Sequence, residues 1–384
     1  MILYLFIFFL AVAICFLTLE SKRKYQLGFA TWYLVGLGIF IGLSDMLGGY
    51  DRYIYAEIFD HMADVTFAGD NPFLSDSFAY FGGEFGYGTL NALMTYITSN
   101  RYIFIFTCTM IIYILLIVSL RKYAENMPFA VVVFLGLWVF FTFTYLRQVL
   151  GCTIMWLSLQ YIYKRDLKRF LLVWFIGFSF HNSAIVFLPM YFIPIKKYSQ
   201  KTIIGVMVLA LIVGLTPIPQ SLFEMYGEVD TGRGTAQFYS MDAGFRYAYL
   251  IESVFFLFVI LANYRDIPKT PKDIVLLNMA LVFCAILLVF VRSENGGRLG
   301  WFYMLGIICT LTTICVRHKA ITQFGLMFII LGLILYIRVY NGWQTYMNLY
   351  PYKTFLTNGH REGDPVFEKY EYDEFYDLDK FYRK

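Results

Sequence analysis

Apolar runs of membrane-crossing length recur along this chain, and that recurrence restricts the fold more than any single motif. A helix needs ~20 predominantly apolar residues to cross a ~30 Å hydrocarbon core. Ten runs approach or meet this length: 2–19, 27–44, 102–120, 129–146, 149–163, 202–216, 247–262, 274–291, 299–316 and 320–340. With 59% of the 384 residues apolar and 15% charged, against ~45–50% and ~25% in soluble domains, too little polar surface remains to cover a soluble globule. High hydropathy with a net charge of only +4 also excludes a disordered chain, and the charge balance does not point to nucleic acid. The reading is an all-α polytopic membrane protein.

The placement of the charges sets the expected sidedness. Lys and Arg cluster at 22–24, 121–122, 164–169, 196–201, 265–272 and 317–319, which the positive-inside rule makes the cytoplasmic turns. Segment 170–193 has basic clusters at both ends, so a single crossing would export one of them. A split re-entrant hairpin of two short helices keeps both inside, its apex at Phe180-His181-Asn182, where polar residues interrupt the run. Segment 87–98 is too short to cross and is read as re-entrant or interfacial. The expectation is about ten full spans plus the hairpin, amino terminus outside. They form one transmembrane domain over 1–341, with outer loops 45–101 and 217–246 and an outward-facing acidic and aromatic tail, 342–384. Stretches 45–84 and 217–246 hold twelve acids against three arginines, so soluble chemistry is expected on this face.

The first run lacks a basic leader and a small-residue cleavage site, which marks a retained helix. The six cysteines all lie in apolar runs without CxxC spacing and read as small buried hydrophobes. Gly38 and Gly42 form a GxxxG packing motif.

An ionisable side chain at the bilayer centre costs roughly 2.5–3.5 kcal/mol on insertion scales, so it is a functional candidate by default. Arg147 lies in the short turn Tyr145-Leu146-Arg147-Gln148 between two aromatic-rich runs. Snorkelling to lipid phosphate is the plain alternative; the sharper one is a fixed cation for a phosphate-bearing substrate, gripped by the planar guanidinium. Arg246 and Arg298 stand at the outer mouths of their spans, and together the three suggest a shared anion. Gly296 and Gly297 beside Arg298 admit close approach of a ligand. His181 at the hairpin apex serves as a base, as a donor to phosphate, or as a hydrogen-bonded structural group. Asp51 and Glu84 lie in acidic loops whose plain reading is a solvated face, but Asp51 follows a span, with Tyr55 and Phe59 one and two turns on, as if a short helix capped a cavity. Walker, HExxH, GxSxG and EF-hand patterns are absent from the sequence. Asp377-Leu378-Asp379 has the diacid spacing of metal-dependent nucleotide-sugar transferases but sits in the tail, and no metal ligand or cofactor is expected.

Five motifs, taken in order, carry a resemblance. They are Gly49-x-Asp51-x-x-x-Tyr55, Glu84-x-Gly86-Tyr87, Leu146-Arg147-Gln148, Phe180-His181-x-Ser183-Ala184 and Gly297-Arg298-Leu299. In order and spacing they resemble the EpsG family, bacterial polytopic proteins taken as Wzy-type repeat-unit polymerases of exopolysaccharide and of the O-antigen of lipopolysaccharide. Relatives often carry an arginine before the Gly-x-Asp, where this chain has Ser44-Asp45-Met46, and Arg52 is the candidate replacement. The resemblance implies an architecture similar to GT-C membrane glycosyltransferases. It also implies joining of undecaprenyl-diphosphate-linked oligosaccharide units, donor and acceptor, at the outer face of the bacterial inner membrane, with membrane lipid and a chain-length regulator as partners.

In that reading Arg147, Arg246 and Arg298 hold the diphosphate without a metal ion. His181, Asp51 and Glu84 are the candidate bases, and Gln148, Tyr55 and Tyr87 are substrate contacts. A lipid-linked oligosaccharide flippase and a membrane acyltransferase are the alternatives. The first needs polar groups along both halves of the membrane, and the second does not need three arginines on one face.

Overall fold

The computed structural model describes residues 1–44, 50–222, 244–343, 349–350, 352 and 354–356. Helices α1 (Ile2–Thr18) and α2 (Arg23–Leu43) lead into a helical cap of α3 (Tyr50–Phe67), α4 (Asp76–Ala79) and α5 (Phe85–Thr95). The bundle continues with α6 (Arg101–Tyr123), α7 (Met127–Leu137), α8 (Phe141–Thr144), α9 (Leu146–Leu157), α10 (Leu159–Tyr163) and α11 (Leu167–Phe180). It is completed by α12 (Gln200–Gly214), α13 (Tyr247–Ala262), α14 (Pro271–Val289), α15 (Met304–Cys315) and α16 (Gln323–Trp343). Among the described residues, five segments are long and apolar enough to cross a membrane: α2, α6, α14, Gly296–Cys315 and α16. Shorter apolar helices accompany them at α1, α7, α12 and α13. The protein is an all-α polytopic membrane protein.

Local chemistry starts several of these helices. Asn100 accepts from the Tyr102 amide (2.8 Å), Asn126 from Phe129 (2.9 Å), Asp166 from Arg169 (3.1 Å) and Thr270 from Asp273 (3.2 Å), each supplying an acceptor to an amide with no partner in the first turn. In α2, a methyl at Gly38 would meet the Tyr113 ring at 2.9 Å and one at Gly42 the Phe106 ring at 2.8 Å, so both glycines let α2 lie close on α6.

The basic turns gather at one end of the bundle. Arg23 donates to the carbonyls of Ala124 and Glu125, Lys122 to Gln160, Arg165 to Tyr191 and Ile193, and Lys197 to Ile267, while Arg317 pairs with Asp266. Arg165 at the start of α11 thus touches the end of the Asn182–Tyr191 3₁₀ segment, and Trp174 in α11 donates to the Ala184 carbonyl (3.0 Å). The chain turns back at His181, so segment 170–193 is a hairpin, its second limb a 3₁₀ helix holding Pro189.

Two features depart from the expectation. The run 129–146 is not one helix: α7 ends at Leu137, where Trp138 takes φ −139°, and α8 and α9 follow as separate pieces. The Thr142 hydroxyl bonds the Val139 carbonyl at 2.6 Å, a local alternative to the helix ladder. The run 149–163 divides at Ser158, whose hydroxyl bonds the Met155 carbonyl in the same way (2.6 Å). The outer segment 45–101 carries helices at α3 and α5, where a capping helix near Asp51 and a short segment at 87–98 are expected. Its anchor is the buried Asp60–Arg101 ion pair between α3 and α6, which replaces water for both charges.

The described part of the expected tail docks. Tyr352 stacks on Phe40 (4.1 Å) and donates to its carbonyl (2.8 Å), and Phe355 stacks on Tyr102 (5.6 Å). Most of loop 217–246 and the tail beyond 356, with Asp377 and Asp379, lie outside the described residues.

Candidate functional site

At the end of the bundle opposite the basic turns, four helices are interrupted, and each interruption carries one charged or polar motif residue. Glu84 ends a 3₁₀ turn (Gly82–Glu84) just before α5; Arg147 follows the break between α8 and α9. His181 is the residue between α11 and the 3₁₀ limb, and Arg298 lies in the 3₁₀ segment Gly296–Tyr303 ahead of α15. Such backbone is tolerated at membrane depth only where protein or a cavity satisfies it, and it projects side chains that a continuous helix would bury. α3, which is not among the span-length apolar helices, adds Asp51 and Tyr55 from the side.

Glu84 is the hub of the first half of the site. Its carboxylate receives Arg147 Nη1 at 2.5 Å and the Asn182 amide at 3.2 Å, and it stands 3.8 Å from His181 Nδ1. The close approach depends on Gly86, where any Cβ would collide with Ser179 in α11. Arg147 also donates from Nε to the Tyr55 hydroxyl (3.3 Å) and lies over that ring at 5.1 Å. His181 Nδ1 accepts the Ser183 amide (3.2 Å). In the neutral imidazole this leaves the proton on Nε2, so the ring presents a donor.

The second half is built on Arg298. Its Nε donates to Gln148 Oε1 (3.1 Å), while Gln148 Nε2 donates back to the Arg298 carbonyl (3.0 Å). Its guanidinium stacks 4.1 Å from the Tyr145 ring, faces Trp301 at 5.3 Å, and brings Nη2 to 4.0 Å from Asp51 Oδ2. Burial pushes the Asp51 carboxyl above its ordinary range, outweighing Arg298 and Arg147, which pull it down. Gly297 is required here as well, since a Cβ would stand 2.6 Å from the Tyr249 ring.

The expected site residues therefore fall into three groups. Asp51, Glu84, Arg147, His181, Arg298 and Tyr55 converge. Gln148 and Tyr87 lie behind them: Gln148 is buried against Arg298, and Tyr87 is fully buried with its ring 5.6 Å from Tyr55. Arg246 lies to one side, its guanidinium 5.7 Å from the Tyr249 ring, which in turn lies against Gly297. Arg52 does not supply the missing cation. It is buried, and its guanidinium donates to the carbonyls of Ser44 (2.7 Å), Phe143 (3.2 Å) and Ile41 (3.4 Å), clamping the end of α2 to the broken α8. Among the described residues no three His, Cys, Asp or Glu side chains are grouped to hold a metal ion.

Tyr145 and Trp301 form part of the site without having been singled out, and Asn182, read only as part of the hairpin apex, adds its backbone amide. Tyr145 and Asn182 adjoin motif residues, so the signal lay in their proximity along the chain.

Neither curated proteins nor solved structures give a match to this chain. Among family models, EpsG matches residues 29–354, a span that includes every residue of both halves of the site. The chain belongs to the EpsG family.

Proposed function

We propose that the protein polymerises polysaccharide repeat units at the outer face of the bacterial inner membrane, transferring a glycan from a polyprenyl diphosphate to an acceptor hydroxyl. Membership in the EpsG family supports a membrane polysaccharide polymerase-like role. The observation that carries the finer reading is the convergence of two arginines on one carboxyl: Arg298 lies 4.0 Å from Asp51, and Arg147 acts on the same group, whose pKa burial has raised.

In the reaction the acceptor oxygen attacks the anomeric carbon of the donor glycan, the anomeric C–O bond breaks, and the diphosphate leaves with the electron pair. Arginines aimed at the leaving group stabilise the charge that develops on it. Of the three candidate bases, Glu84 is neutralised by Arg147 and His181 has its Nδ1 lone pair engaged. Asp51 takes the acceptor proton, and its raised pKa strengthens it for that task. His181 then serves as a donor toward substrate from Nε2, with Tyr55 holding Arg147 in place.

The test is purified protein in nanodiscs supplied with lipid-linked repeat units, with and without a chelator. A ladder of longer chains that survives chelation is expected. Transfer of the lipid-linked unit across the bilayer without chain growth would replace the polymerase with a flippase. Growth lost on chelation and restored by magnesium or manganese would overturn the arginine mechanism.

A further inference from the structure

A cavity of about 750 Å³ runs from Arg298 into the apolar interior of the bundle, between α13 and α16. Its floor is closed where Phe255 and Phe256 meet Phe328, with ring centroids 5.3 and 6.3 Å apart. Leu335 and Val339 of α16 form one wall. Its mouth opens on the perimeter of the bundle at Ile251 and Arg338, both exposed. The cavity is thus largely apolar, opens on the perimeter of the bundle beside Arg338, and holds Arg298 at the end that joins the site.

This shape and polarity suit one chemical class, a long hydrocarbon chain ending in an anionic head. Only a lipid can reach such a mouth without crossing water, and only its head needs Arg298. One acid also lines the cavity: Glu252, three residues beyond Tyr249 on α13 and so ~4.5 Å further along the wall.

We infer that this cavity is the seat of the donor's polyprenyl chain, entering between α13 and α16 with its diphosphate on Arg298. Arg147 reaches the same diphosphate from the other half of the site, and the acceptor approaches beside His181. The assignment rests on the polymerase reading and adds to it the place of the donor's lipid chain.

The test measures binding of undecaprenyl diphosphate carrying no sugar to the purified full chain in detergent, by native mass spectrometry, beside the ladder assay on the same preparations. Leu335→Trp fills the cavity from within, and Ile251→Trp obstructs its mouth at an exposed position that can accept a larger side chain without repacking. Each variant is expected to weaken binding at least tenfold while eluting as monodisperse protein, and dioleoyl phosphatidylglycerol is expected not to compete. Unchanged binding in Ile251→Trp and Leu335→Trp overturns the cavity assignment even if the wild-type ladder stands. Equal competition by phosphatidylglycerol overturns the polyprenyl occupant in favour of ordinary anionic lipid. Absence of binding in the wild type overturns the inference outright. A missing wild-type ladder beside cavity-dependent binding instead refutes the polymerase reading alone.

Discussion

Arg147→Lys isolates the geometry of the guanidinium from its charge. Alanine is the poorer choice, because removing one partner of a buried pair typically costs about 3–5 kcal/mol and would leave Glu84, nearly fully buried, without its cation. Lysine retains the charge and can keep the 2.5 Å contact to Glu84, but not the Nε bond to Tyr55 at 3.3 Å together with the stack over its ring at 5.1 Å. Those losses come to about 1–2.5 kcal/mol in the resting protein, from about 0.5–1.5 for the hydrogen bond and 0.5–1 for the cation–π contact. They appear as lower thermal stability. Under the proposed role the rate carries a separate loss: one limb of a bidentate grip on the leaving diphosphate, a charge-assisted bond of about 1.5–3 kcal/mol. At 1.36 kcal/mol per tenfold, kcat/KM falls by about 10- to 150-fold. The assay is the initial rate of chain growth in nanodiscs at matched amounts of folded protein. A lysine variant within about threefold of wild type would refute the diphosphate role and return Arg147 to an anchor for Glu84.

Three further outcomes are expected. Growth should fall on acidification through the raised pKa of Asp51, above the ordinary carboxylate range near ~4; Arg298→Gln removes a cation that holds this pKa down, so the acid limb must move to higher pH, and a shift the other way counts against Asp51 as base. His181→Cys, with the six native cysteines removed, is expected to react with an impermeant thiol reagent added to the outside of spheroplasts; labelling only from the cytoplasmic side would reverse the proposed orientation. Gly306→Ala in α15 drives a methyl onto Met279 and to 2.7 Å from the Ala280 amide of α14, an overpacking of about 1–3 kcal/mol read as a lower unfolding temperature in detergent, and an unchanged midpoint would show that α14 and α15 yield more than their packing suggests.

What could be read from the sequence follows the length scale of each signal. A whole apolar run is additive along the chain, so α2, α6, α14 and α16 were visible as spans. The hairpin apex was visible because His181 and Asn182 interrupt a run whose flanks are both basic. The breaks near Trp138 and Ser158 were not, since Trp138-Val139-Phe140 is as apolar as the helix it ends, and Arg52, which takes the Phe143 carbonyl of the broken α8, lies 91 residues earlier. The same arginine shows the limit at the site. Its charge and position beside Asp51 suggested a ligand contact, but which way it points was decided by carbonyls of α2 and α8 that the sequence does not place together. Asp60 with Arg101 and the lipid-facing cavity likewise exist only through convergence of distant helices.

Gln148 and Arg298 hold each other through two opposed hydrogen bonds, side chain to side chain and side chain to backbone. A free arginine surrenders up to about 2 kcal/mol of rotamer entropy when a ligand fixes it. Here much of that ordering has already happened in folding, so the guanidinium meets each incoming headgroup at little further entropic cost. For the proposed polymerase activity, which repeats one step many times on a growing chain, the consequence is thermodynamic. Gln148→Ala would leave the charge in place, and the weakened binding it produces should appear mainly in the entropy of association, measured by calorimetry, with the enthalpy little changed.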